Sequence, residues 1–179
     1  MTFRRVTLVA VVVALLAVAG CGASRSGDAT PTDEWASRFC SALTTWTQSM
    51  SSLTSALDSS NLSVEGLGGA VGDAAQATST LATDLRSLGA PDTDAGVEAK
   101  DSIDRLADGI EADIEEVQTS VDDLSGITEL VRALPALGRT LAGMGGRVRT
   151  TLGELQQIDT GGRLEDAITG ASSCSDLTS

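Results

Sequence analysis

Residues Ala99–Leu124 read AKDSIDRLADGIEADIEEVQTSVDDL. Ala99, Ile103, Leu106, Ile110, Ile114, Val117, Val121 and Leu124 recur at intervals of four and three. That interval returns a side chain to the same side of an α-helix, so the stretch predicts a helix with one greasy stripe. This segment opens around Asp92 or Thr93 and stops at Ser125-Gly126. Upstream, Trp35, Phe39, Leu43, Trp46, Met50, Leu53 and Leu57 line a first helix from about Asp33 to Leu57. Leu67, Val71, Ala74, Thr78, Leu81, Leu85 and Leu88 line a second, with Ser63 as N-cap and Gly89 and Pro91 as its stop. Downstream, Leu130, Leu134, Leu137, Leu141, Met144, Val148, Leu152, Leu155 and Ile158 line a fourth. Pro135 inside that stripe predicts a kink or a break. Leu164 and Ile168 predict a final turn or two before Cys174. No stretch alternates with period two, and Asn-Gly and Asp-Gly hairpin turns are missing. The expected class is therefore all-α, an antiparallel four-helix bundle over residues 33–179.

Composition narrows the chemistry. The chain of 179 residues carries 25 acids, 12 bases, no His and no Tyr, for a net charge of −13. Without imidazole there is no His-ligated metal or haem and no Ser-His-Asp or Cys-His nucleophile. Phosphate backbones demand clustered Lys and Arg, so nucleic acid is excluded as a partner. No Walker loop, G-x-S-x-G elbow or dinucleotide glycine pattern occurs. No catalytic residue, cofactor or metal site is expected, and the protein is read as a non-enzyme.

The first residues give an address. Arg4 and Arg5 precede an apolar run, Val6–Val18, interrupted only by Thr7. A helix needs about 20 apolar residues to span a bilayer, so this run reads as a secretory signal. It ends Val18-Ala19-Gly20-Cys21, which resembles the lipobox of bacterial lipoproteins. The resemblance covers the leader alone and implies cleavage between Gly20 and Cys21, with a diacylglyceryl group on the Cys21 sulfur. Residues 1–20 are then signal peptide, and the mature chain is held at the membrane on its extracytoplasmic side. Losing two arginines and no acid with the leader leaves ten bases against 25 acids, a charge of −15. Anionic headgroups repel such a body, so the covalent lipid would have to anchor it. Residues 21–32, rich in Ser, Gly, Thr and Ala, read as a flexible tether reaching roughly 20 Å. Scarce Lys beside abundant Ala, Gly, Val and Arg suggests a high-GC actinobacterial source.

Inside the body, Cys40 and Cys174 are expected to pair in an oxidising exterior, closing a long loop worth roughly 2–4 kcal/mol. Asp101, Asp104, Asp108, Glu111, Glu115 and Asp122 turn away from the third stripe, most of them about 200° round, as an acidic face. Asp92-Thr93-Asp94 begins like a calcium loop, but Val97 and Ile103 occupy the positions that need Gly and Glu. Asp113 sits on the stripe's flank and is expected to pair with an Arg of the fourth helix. Gly138, Gly143, Gly145, Gly146 and Gly153 in that helix each cost about 1 kcal/mol relative to Ala. Close helix approach is the favoured reason for them. A groove for an apolar ligand, bordered by Trp35, Phe39, Trp46 and Met144, is the other. The functional expectation is a membrane-tethered protein that binds or supports another envelope component through a helical surface. The alternative is a carrier of a small, lipid-like molecule in a groove of the bundle.

Overall fold

A computed structural model of the chain describes residues 30–57 and 62–175. The expected signal peptide 1–20, the Gly20/Cys21 junction, most of the tether and the first half of the loop after residue 57 lie outside these residues. The described chain is all-α. Helices α1 (Thr32–Leu57), α2 (Val64–Ser87), α3 (Gly96–Asp122), α4 (Ile127–Ile158) and α5 (Arg163–Gly170) are followed by a 3-10 turn, Ser172–Cys174. α1 packs along α2, α2 along α3 and α3 along α4, while α5 and the 3-10 turn pack on α1.

The greasy stripes do what their spacing demands. All seven expected residues of α2 and the run Ala99 to Val121 of α3 are buried. Both helices are flanked by two neighbours, so a broad face is withdrawn from water at about 25 cal/mol per Å² of apolar surface. On α1 the aromatics sit deepest. Trp35 and Phe39 are fully buried and stacked, with centroids 5.2 Å apart and planes 17° from parallel. Each Trp also finds an acceptor. Trp35 Nε1 donates to the Gly89 carbonyl at 3.1 Å, and Trp46 Nε1 donates to Thr78 Oγ1 at 3.0 Å. Thr78, itself fully buried, donates its hydroxyl to the Ala74 carbonyl at 2.8 Å. Thr78→Val keeps the shape and removes the acceptor, leaving a buried indole N–H unpaired. It should therefore destabilise the fold by about 1–3 kcal/mol, read as a lower urea midpoint with unchanged slope.

Three expectations are corrected. α3 begins at Gly96, not at Asp92 or Thr93. The backbone of 90–93 is engaged elsewhere: Thr30 N donates to Ala90 O, Asp92 N to Thr30 O, and Thr93 N to Pro91 O. The chain can turn into the helix only at a glycine, because a Cβ on Gly96 would lie 2.2 Å from the Pro91 carbonyl oxygen. The same bonds make Thr30–Thr32, assigned above to the tether, part of the fold; Thr32 is already the first residue of α1. Finally, α4 runs unbroken through Pro135 over 32 residues. Proline leaves the Val131 carbonyl without its helical donor. Val131 is exposed, so water can serve that carbonyl.

The end of the chain is fastened back onto the beginning. Cys40 and Cys174 form a disulfide between α1 and the 3-10 turn, across 134 residues. Thr44 Oγ1 donates to Ser173 O at 3.1 Å, and Ser173 Oγ donates to Ser37 O at 3.2 Å. Leu164 and Ile168, the tail residues singled out by pattern, are buried on α5 as expected.

Candidate functional site

The fourth stripe divides into two rows. Leu130, Leu137, Met144, Val148 and Leu155 are buried, while Leu134, Leu141, Leu152 and Ile158 are only half covered. Leu134, Leu141 and Leu152 look across an open seam toward Trp46, Met50 and Leu57 of α1. Two adjoining cavities fill that seam, of about 300 Å³ around Met50 and Leu152 and about 430 Å³ around Leu57 and Leu134. They share Thr54 and Leu141 as lining, so they form one groove running along both helices. Between Leu134 and Leu152 the rise of an α-helix gives it a length of roughly 27 Å.

Glycine widens this groove. Gly138 and Gly145 line it, and a Cβ on either would meet nothing within 4 Å. The same holds for Gly143, Gly146 and Gly153. Close helix approach therefore does not account for the glycines of α4, which corrects the favoured reading of them. By contrast Gly109 of α3 does serve packing, since its absent Cβ would lie 3.3 Å from Cδ of Arg147.

The wall is mainly apolar, with Thr47, Thr54 and Arg149 as its polar side chains. No acid lines the groove. Its hydroxyl protons are used within α1: Thr47 Oγ1 donates to Leu43 O at 2.8 Å and Thr54 Oγ1 to Met50 O at 3.1 Å. The Trp46 N–H is held by Thr78. Arg149, exposed at the Leu152 end, is the cation of the wall and forms no ion pair among the described residues. Of the four residues expected to border a groove, only Trp46 does so. Trp35, Phe39 and Met144 are sealed in the core. Met50, Leu141, Leu152, Gly145 and Arg149 take their place. The glycines of α4 are the only sequence signal of this groove; the half-covered row of leucines is separated from the buried row by the structure alone.

A larger hollow of about 660 Å³ follows the outer faces of α1 and α2. Ser41, Thr45, Gln76, Thr80 and Asp84 alternate in its lining with Ala42, Trp46, Ala77, Leu81 and Leu88, so polar groups interrupt its apolar wall along the whole furrow.

The acidic face of α3 is partly balanced from within. Arg86 of α2 bridges Asp108 at 2.7 Å and Glu111 at 2.5 Å, and Lys100 pairs with Asp104. The hydrogen bonds that Arg86 donates to Glu111 and then Asp108 push its guanidinium further toward its charged form. Asp101 and Glu115 stay solvent-facing without an ion partner among the described residues. Asp113 pairs with an arginine of α4, as expected: Arg147 Nε and Nη2 donate to its two oxygens at 2.7 and 3.1 Å. That bidentate pair raises the Arg147 pKa, chiefly through the hydrogen bond and then through charge. At the start of α4, Glu129 accepts from the hydroxyl and the N–H of Ser125, which lowers its pKa. These interactions hold helices in register. Among the described residues no group of three or more Cys, Asp and Glu could hold a metal ion. No described helix is long and apolar enough to cross a membrane.

Comparison with protein families, with curated proteins and with solved structures finds no match to this chain.

Proposed function

We propose that this protein is a lipid-anchored, extracytoplasmic bacterial lipoprotein without enzymatic activity, whose body binds a small apolar molecule in the seam between α1 and α4. The observation that carries the binding reading is the groove itself: several hundred Å³ of apolar wall, kept open by Gly138 and Gly145. That volume suits a small ligand. The architecture we infer is an antiparallel four-helix bundle with one seam ajar. Hydrogen bonds from residue 35 to 89 and from 46 to 78 support it for α1 and α2, since rising numbers on one helix meet falling numbers on the other. Facing residues across the groove follow the same rule, Trp46 near Leu152 and Leu57 near Leu134.

Organic extraction of the full chain purified from membranes tests the binding reading. Covalent acyl chains stay on the protein, so an extracted lipid-like molecule near one per chain is the expected result. Protein that yields none, and takes up no added lipid, defeats it. The anchor is tested separately. Cys21→Ser should abolish fatty-acid labelling and release the protein into the medium; labelling that persists removes the lipobox assignment.

A second reading, docking of another envelope protein on a helical face, is favoured by Ile127 and Val131. They stand one turn apart on α4 and are each more than half exposed. Crosslinks from that turn to a partner, in cells whose protein carries no extractable lipid, would select it.

A further inference from the structure

The inventory of donors in the groove goes further than the presence of a cavity. Apolar walls select for apolar surface and not for one end of a molecule over the other. Orientation requires an unspent polar group, and here the accounting leaves one. The indole N–H of Trp46 is held by Thr78, and the hydroxyl protons of Thr47 and Thr54 are held by carbonyls of their own helix. Backbone donors of α1 and α4 along the seam are consumed inside the helices. The guanidinium of Arg149 remains, with five N–H groups and no carboxylate opposite it among the described residues. The other arginine on this part of α4, Arg147, is committed to Asp113. A chain so rich in carboxylates leaves this wall free of them, and Arg149 is the one charged side chain that lines the slot.

Shape adds a second constraint. The groove is narrow, long and open along one side, roughly 27 Å from Leu134 to Leu152. One bilayer leaflet is about half of the ~30 Å hydrocarbon core, so a single extended acyl chain fits its length with room left over. Building on the groove reading above, we propose that the occupant is a single-chain amphiphile with an anionic head, a fatty acid or a long-chain alkyl phosphate. The head pairs with Arg149 and the chain runs past Met50 and Leu141 toward Leu57 and Leu134. Guanidinium matches either oxyanion through paired, charge-assisted hydrogen bonds. Carboxylate and phosphate share that chemistry, and the two probes below separate them from a neutral head.

Trp46 lines the groove and serves as the reporter. The experiment titrates the full chain with dibrominated stearic acid, with dibrominated stearyl phosphate and with the dibrominated stearic methyl ester, following tryptophan quenching. The anionic probes should bind about tenfold more tightly than the ester, and added salt should shrink the gap. Arg149→Gln, an exposed substitution, should bring the anions down to the affinity of the ester and leave the ester unchanged. Equal affinity of all three probes, or an Arg149→Gln protein that still prefers anions, overturns the anionic head and leaves the groove standing. Absence of quenching by any probe removes the groove reading as well. Quenching that vanishes as the protein is concentrated into a dimer would mean that a second copy covers the seam, which also overturns the proposal.

Discussion

Replacing Cys40 and Cys174 together by Ala should lower the unfolding free energy by about 2–5 kcal/mol, the largest loss expected from any change outside the aromatic core. The loop they close spans 134 residues, nearly the whole folded chain. Chain-entropy arguments place the greatest stabilisation on links of this kind. The helix they secure needs it. α1 is built largely from Ser and Thr, poor helix formers, and many of their hydroxyls bond back to carbonyls four residues earlier, as in Thr45 to Ser41 and Ser51 to Thr47. Such a helix owes its persistence to packing on one side and to the clamp in its first third. The effect should be uneven. Leu164 and Ile168 hold α5 on α1 by a small apolar area, so amide hydrogens of α5 should exchange much faster in the variant while those of α2 and α3 change little. Equilibrium urea unfolding with and without reductant checks the magnitude, and an unchanged midpoint would show that the tail contacts suffice alone.

How far the fold was legible varies from helix to helix, for a physical reason. α2 and α3 each have packed neighbours on both flanks, so a single stripe describes the buried face and every residue named from Leu67 to Leu85 and from Ala99 to Val121 is inside. α4 faces α3 on one side and an open seam on the other. Its one periodic pattern therefore merges a buried row with a half-covered row, and no local spacing separates them. The start of α3 was misread because its reason lies 60 residues away, in the pairing of Thr30 with Ala90 and Asp92. Pro135 predicts a kink or a break, and the break does not occur. The helix continues because the carbonyl it orphans belongs to exposed Val131. Cys40 and Cys174 were legible by simple parity, and Asp113 by its place on the stripe's flank. The groove was half legible. Five glycines in one helix signalled missing volume, but whether that volume admits a neighbour or a ligand depends on the distance between α1 and α4, which periodicity does not report. Aromatic residues suit a groove wall, yet stacked Trp35 and Phe39 gain more by complete burial.

Gly145→Leu should make the protein more stable and less able to bind. In almost any helix interior, exchanging glycine for a residue with a side chain recovers about 0.5–1 kcal/mol of backbone entropy. The change is harmful only where the new atoms collide. At Gly145 nothing lies within 4 Å of the Cβ position, so the gain is unopposed, and the leucine is directed into the cavity between Met50 and Leu152. Occupying that space should cut affinity for the dibrominated methyl ester at least ~tenfold while the urea midpoint rises. Gly143→Leu provides the control. Gly143 has equally free surroundings and does not line the groove, so it should show the same gain in stability with binding unchanged. The pair separates two explanations for glycine in α4. If the ligand does not occupy the seam, both leucines would stabilise and neither would touch binding. If Gly145 is retained because the seam must stay empty, only its variant trades ligand for stability, as expected where an open site is maintained at the expense of the fold.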